Sequence, residues 1–172
     1  MTLRRTTLTL AAAFWALAHA ASAQTVVLAR HAEKADGSRD PELSQAGTAR
    51  AEALAAAFGP EGPDFVIVSP LRRTGLTAAP TVGAFRSPVR TIALEEGVEV
   101  HVAAVVAELR ARPADSLILV VGHSNTIPLI ARALGVETAD MADCEYDRLI
   151  RIDLNATQPV ASVTRYGAAS RC

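Results

Sequence analysis

The chain lacks an excess of positive charge, a metal-type cysteine spacing, internal repeats and low-complexity tracts. Its 17 basic and 18 acidic residues give a formal net charge of −1. Such a balance offers no general attraction to nucleic acid or to an anionic membrane, so any anion has to be captured locally. There are two cysteines, Cys144 and Cys172, and their separation is unlike the short spacings of structural zinc sites. The apolar stretch from Leu8 to Ala18 falls short of the about 20 residues that a spanning helix needs, and His19 follows closely.

That stretch has another meaning. Arg4 and Arg5 precede it and Ala21-Ser22-Ala23 end it, which is the pattern of a secretory signal peptide over residues 1–23 with cleavage before Gln24. A membrane anchor is the alternative. The arginine pair invites a twin-arginine route, although Thr6 and Thr7 stand where an apolar residue would strengthen it, so the export route stays open. Residues 24–172 then form a single domain, large enough to bury a sizeable core. Without Arg4 and Arg5 it holds 15 basic against 18 acidic residues, a net −3. A periplasmic or secreted location favours a Cys144–Cys172 disulfide, with two free thiols as the alternative.

Short β-branched runs alternate with longer Ala/Leu-rich segments. Thr25–Ala29, Phe65–Val68, Val89–Ile92 and Leu117–Val121 read as strands, and Ser44–Phe58, Leu71–Val82, Val98–Arg110 and Thr126–Leu134 read as helices. The strand runs are apolar almost throughout, as expected of a mainly parallel sheet covered on both faces, so the expected fold is a three-layer αβα sandwich. Arg148–Leu154 and Val160–Tyr166, joined by residues 155–159, read as an antiparallel pair at one edge. Gly59-Pro60-Glu61-Gly62-Pro63 stops the first helix.

The chemistry-bearing residues sit where strands end. Val26-Val27-Leu28-Ala29 runs into Arg30-His31, Val120-Val121-Gly122 runs into His123, and Phe65–Val68 runs into Ser69-Pro70-Leu71-Arg72-Arg73. In a parallel sheet the carboxyl ends of the strands share one edge, where ligand crevices form. Two histidines and the planar forks of Arg30 and Arg73 at that edge suit the oxygens of a phosphate. The alternative is two satisfied histidines and two solvated arginines.

These segments resemble the histidine phosphatase superfamily, also called phosphoglycerate mutase-like. Arg30-His31-Ala32-Glu33-Lys34 resembles its Arg-His-Gly signature in the Arg-His-Ala-Glu-Lys form of a bacterial branch. Ser69 to Ala78 is similar to its Ser-Pro-x-x-Arg-x-x-x-Thr-Ala element, Gly122-His123 to its second histidine, and Leu43-Ser44-Gln45-Ala46-Gly47 to its Leu-Thr-x-x-Gly segment. The resemblance runs from about Val26 to Gly135 with the motifs in family order. It implies a phosphoglycerate mutase-like fold, His31 as a nucleophile that becomes phosphohistidine, and Arg30, Arg73 and His123 around the transferring phosphoryl group. It implies no metal and no cofactor. A neutral imidazole attacks phosphorus without first losing a proton, and fixed cations meet the charge on the equatorial oxygens.

A proton donor for the leaving alcohol is less clearly written. Mutase-like relatives carry a glutamate after the third strand, a position that Glu96 matches, with Glu95 adjacent; both could instead flank a helix start, where carboxylates favour the dipole. The aspartate that phytase-like relatives place after the second histidine is replaced by Ser124. Glu33 and Lys34 read as a solvated pair, with orientation of the nucleophile or contact with substrate as the alternative. His101 has no expected role, and Asn125 is expected to cap the following helix, with rim contact to substrate as the alternative.

The reading that follows is an exported phosphatase acting on a small phosphorylated substrate, with no nucleic-acid partner and no membrane anchor after cleavage. A phosphohistidine or phosphoprotein phosphatase, and a non-catalytic phosphate-binding module, are the alternatives. The loops at Ala35–Pro41 and Ala84–Pro88 are expected to shape specificity.

Overall fold

A computed structural model describes residues 23–154 and 158–172. Residues 1–22, which hold nearly all of the proposed signal peptide, and three residues of the 155–159 connection lie outside the described residues.

The chain alternates β1 (Gln24–Arg30), α1 (Gln45–Ala56), β2 (Phe65–Val68), α2 (Arg72–Phe85), β3 (Val89–Thr91), α3 (Val98–Arg110), β4 (Leu117–Gly122) and α4 (Ile127–Ala133), then adds β5 (Arg148–Leu154) and β6 (Val160–Arg165). The six strands form one sheet in the order β3-β2-β4-β1-β5-β6. The first four are mutually parallel, β5 runs antiparallel to β1, and β6 pairs antiparallel with β5 at the edge, as the sequence pattern predicts.

Side chains alternate across a strand, so each central strand feeds two cores. Val26, Leu28, Ile67, Ile118 and Val120 point to the side covered by α3 and α4, against Val105, Leu109, Ile127 and Ile130. Val27, Ala29, Val66, Val68, Leu119 and Val121 point to the other side, against Leu54, Ala78 and Tyr166. Burial on both faces is why these strands show no polar alternation, and the result is the expected three-layer arrangement.

Most element ends agree with the sequence reading to within two residues, and the largest departure is in α2. Helix α2 does not stop at Val82 but runs through Pro80 to Phe85 and closes on Arg86 in the left-handed region, φ 55°. A proline inside a helix costs about 3 kcal/mol. Packing opposes that cost: the Phe85 ring stacks edge-on against Phe58, centroids 6.3 Å apart, and fills the space over Gly62, where a Cβ would lie 2.1 Å from the ring.

Near the carboxyl terminus, Cys144 and Cys172 are joined in a disulfide with Cα atoms 5.2 Å apart. Among the described residues no helix is long and apolar enough to cross a membrane.

Candidate active site

Strand β1 ends at Arg30 and β4 ends at Gly122, and these two residues are register partners in the sheet. The residues that follow therefore emerge side by side, and the backbone N–H of His31 donates to the Gly122 carbonyl at 2.9 Å. Their rings meet edge-on, with the His31 and His123 centroids 5.3 Å apart. Both are almost fully buried.

The imidazole of His31 is oriented by its own backbone neighbourhood. Nδ1 lies 2.8 Å from the Ala32 carbonyl, which can only accept, so Nδ1 carries the proton and Nε2 holds the free lone pair. The Ala32 N–H in turn donates to Thr77 Oγ1 at 2.9 Å, which fixes the turn to α2. Burial pushes the His31 pKa down to about 4; the Ala32 hydrogen bond opposes this and the charges of Arg30, Arg73 and Lys34 add to it. His123 is lowered to about 3, chiefly by burial and then by His31 and Arg73. Both rings are thus neutral at neutral pH.

The cations are held from behind. Arg30 donates from Nη1 to the carbonyls of Ala142 and Asp143 at 2.9 Å and of Glu145 at 3.1 Å, while its guanidinium lies 4.2 Å from the Tyr146 ring centroid. Arg73 donates from Nη1 to the Arg39 carbonyl at 3.4 Å and faces the Asp40 carboxylate at 3.8 Å. Burial lowers the pKa of both arginines, yet a guanidinium remains charged. Four groups expected from the sequence therefore stand together at this edge of the sheet: two fixed cations, a free imidazole nitrogen on His31 and the ring of His123.

Glu96 stands elsewhere. It lines a cavity of about 390 Å³ with Arg90, Val100, Ala104 and Glu108, along the exposed face of α3 and the β3 edge. No hydrogen bond or ion pair among the described residues joins it to the four groups, and Glu95 accepts the N–H of Leu94 at 3.0 Å. His101 is buried on the first turn of α3, with Nδ1 2.8 Å from the Ala93 carbonyl.

Several readings need correction. Glu33 is not half of a solvated pair with Lys34: both of its oxygens accept from buried Arg50 of α1, which also donates to the Tyr166 carbonyl at 3.0 Å. Asn125 is not the cap of α4; Thr126 takes that position, and its hydroxyl accepts the His123 N–H at 2.9 Å. Asn125 instead lines a cavity of about 440 Å³ with Ser124 and Asp143, beside the site. Residues 84–88 lie at the opposite edge of the sheet, because a chain leaving α2 must return to the amino end of β3; there Pro88 lines a cavity with Phe65 and Ser116. Residues 35–41 do reach the site, through Arg39 and Asp40.

Three participants had no expected role. Ser69 lies 2.9 Å from His123 Nε2, Thr74 supports Ser69 from α2, and Tyr146 stands 6.1 Å from His31, centroid to centroid. Ser69 and Thr74 lie inside the Ser-Pro-Leu-Arg-Arg-Thr segment and could have been suspected. Nothing local marks Tyr146.

Residues 26–96 match the family model of the histidine phosphatase superfamily, branch 1. No curated protein sequence matches the chain. Solved structures with the same fold include a Nakamurella multipartitia protein described as phosphohistidine phosphatase SixA, 25% identical, covering 85% of this chain and 96% of that one at a TM-score of 0.58. A mycobacterial glucosyl-3-phosphoglycerate phosphatase is 16% identical, covering 86% of this chain and 100% of its own, TM-score 0.62. An Entamoeba histolytica phosphoserine phosphatase is 17% identical, covering 85% and 98%, TM-score 0.61.

Proposed function

We propose that this chain, which belongs to the histidine phosphatase superfamily, is an exported enzyme that hydrolyses a small phosphomonoester through a phosphohistidine on His31. The observation that carries the reading is the tautomer of His31: its proton is committed to the Ala32 carbonyl, so Nε2 is free to attack, beside Arg30, Arg73 and His123.

In the first half-reaction Nε2 of His31 bonds to phosphorus as the bond from phosphorus to the ester oxygen breaks. The departing oxygen takes a proton, for which Glu96 is the sequence candidate. In the second, water attacks the phosphohistidine, loses its proton and releases inorganic phosphate, regenerating His31. Arg30 and Arg73 offset the charge on the transferring oxygens throughout, in a setting where fixed charges count for more than in water. The disulfide supports the exported location, since such bonds persist in oxidising compartments.

A second reading concerns the substrate. The likeness to the SixA structure supports a phosphohistidine or phosphoprotein substrate as the alternative to a small ester. A panel of phosphomonoesters and phosphopeptides assayed with the mature chain separates the two, and turnover of any of them separates an enzyme from a phosphate-binding module.

The test of the covalent step is quenched-flow trapping with labelled substrate. Wild type should yield a labelled protein adduct that is stable in alkali and lost in acid, and His31→Ala should yield none, with turnover lowered at least about a thousandfold. Substantial turnover by a folded His31→Ala variant would remove His31 from this role.

A further inference from the structure

A neutral histidine has one ring proton, and the nitrogen that holds it decides what the ring can offer a ligand. In His123, Nε2 is taken by Ser69 Oγ at 2.9 Å, so Nδ1 is the nitrogen left to meet a ligand; it is buried and has no partner. A donor there would bond a phosphoryl oxygen, whereas a lone pair would repel it.

The hydrogen bonds behind Ser69 narrow the choice. Thr74 Oγ1 faces the carbonyls of Ser69 at 2.9 Å and Leu71 at 2.8 Å; carbonyls only accept, so the Thr74 proton is spent there. Thr74 can therefore receive from Ser69 but not give to it. Ser69 Oγ also receives the N–H of Leu71 at 3.3 Å. Its own proton has two destinations, His123 Nε2 at 2.9 Å or Thr74 Oγ1 at 3.1 Å. Turned to Thr74, it obliges Nε2 to carry the His123 proton and leaves Nδ1 a bare acceptor. Turned to His123, it makes Nε2 the acceptor and moves the ring proton to Nδ1.

We propose that Ser69 is a positioning residue whose hydroxyl donates to Nε2 and thereby holds His123 as the Nδ1–H tautomer, which donates to an oxygen of the bound phosphoryl group. This rests on the phosphatase reading above. Ser69 touches no substrate in this arrangement and acts through His123.

The test uses the ¹⁵N-labelled full mature chain with orthovanadate as the probe, and His123→Gln to identify the His123 ring signals. Wild type with vanadate should show His123 protonated at Nδ1 and bare at Nε2. Ser69→Ala should lose that preference and bind vanadate roughly tenfold more weakly, with kcat falling further than KM rises; Ser69→Thr, which restores a hydroxyl, should recover most of both. Nε2–H in the wild-type vanadate complex, or unchanged vanadate affinity in Ser69→Ala, overturns the proposal for Ser69 alone. A wild type that neither binds vanadate nor turns over any phosphate ester overturns the phosphatase reading with it. Should Ser69→Ala not fold, the wild-type tautomer decides the matter by itself.

Discussion

Tyr146 lies against Arg30, with the guanidinium 4.2 Å from the ring centroid, and the segment that carries Tyr146 also gives Arg30 three carbonyl acceptors. That segment is anchored from the carboxyl terminus. Cys172 is bonded to Cys144, and Ser170 Oγ accepts the N–H groups of Tyr146 at 2.8 Å and Asp147 at 3.1 Å. A bond 28 residues apart in sequence thus supports the orientation of Arg30, the proposed phosphate ligand, at the other end of the chain order.

Reduction, or Cys144→Ser, should therefore act on binding as well as on stability. Closing a loop of this length is worth roughly 3 to 4 kcal/mol in the chain-entropy account, so the Tm should fall. KM should rise several-fold because Arg30 loses its fixed acceptors. Thermal melts and steady-state kinetics with and without reductant check this, and a lower Tm with an unchanged KM would show that the loop holds Arg30 without the bond.

Adjacent residues on a helix point about 100° apart, so Arg72 and Arg73 cannot both face the crevice. The Arg73 side chain is 15% exposed and held by the 35–41 loop, whereas Arg72 is 56% exposed and paired with Glu42. Arg73→Ala should lower kcat/KM at least about a hundredfold, comparable to removing one charge-stabilising donor. Arg72→Ala should change it by a few-fold at most. The reverse ranking would place the wrong arginine in the site.

How much of this was legible follows from where the information lies. Runs such as Val26–Ala29 and Leu117–Val121 announce buried strands because both of their faces are covered. Arg30, His31, Arg73 and His123 were readable because each sits within a few residues of a strand end, and sheet topology brings those ends together. The role of Glu33 is hidden from the local sequence because its partner, Arg50, is seventeen residues away on α1. The Leu-Ser-x-x-Gly segment is legible in the sequence, but its reason is tertiary: a Cβ on Gly47 would lie 2.2 Å from the Glu33 carbonyl oxygen, so only glycine lets α1 press against the turn after His31. Tyr146 depends on a disulfide and a long connection, and no periodicity encodes either.

The lowered histidine pKa values carry a sign. For His31 the folded value of about 4 lies below the ordinary value of 6.5, so the unfolded chain binds more protons between those limits. Stability from this group is present in full above about pH 6.5 and is lost as pH falls through about 4. In the ligand-free protein, NMR titration should place the His31 midpoint near 4 and that of His123 lower still, with the Tm declining across the same window. A His31 midpoint near 6.5 would mean that the ring is more hydrated than its burial implies. Nε2, the proposed nucleophilic atom, would then be partly protonated in mildly acidic solution.

The proton donor is the step for which geometry gives least support to the sequence candidate. Glu96 lines the cavity at the β3 edge, and to act on a leaving group its carboxylate would have to turn toward His31 when substrate binds. An acid matters most when the departing alcohol is a poor leaving group, so Glu96→Gln should slow alkyl phosphates far more than para-nitrophenyl phosphate. Glu95→Gln is the control, because that carboxylate is engaged with the Leu94 N–H. Equal losses on both substrates, or selective loss in Glu95→Gln, would exclude Glu96. If neither substitution matters, the proton comes from a group already inside the crevice or from solvent. The dependence of kcat on leaving-group pKa would tell these apart, since an unassisted departure steepens that dependence and an internal donor flattens it.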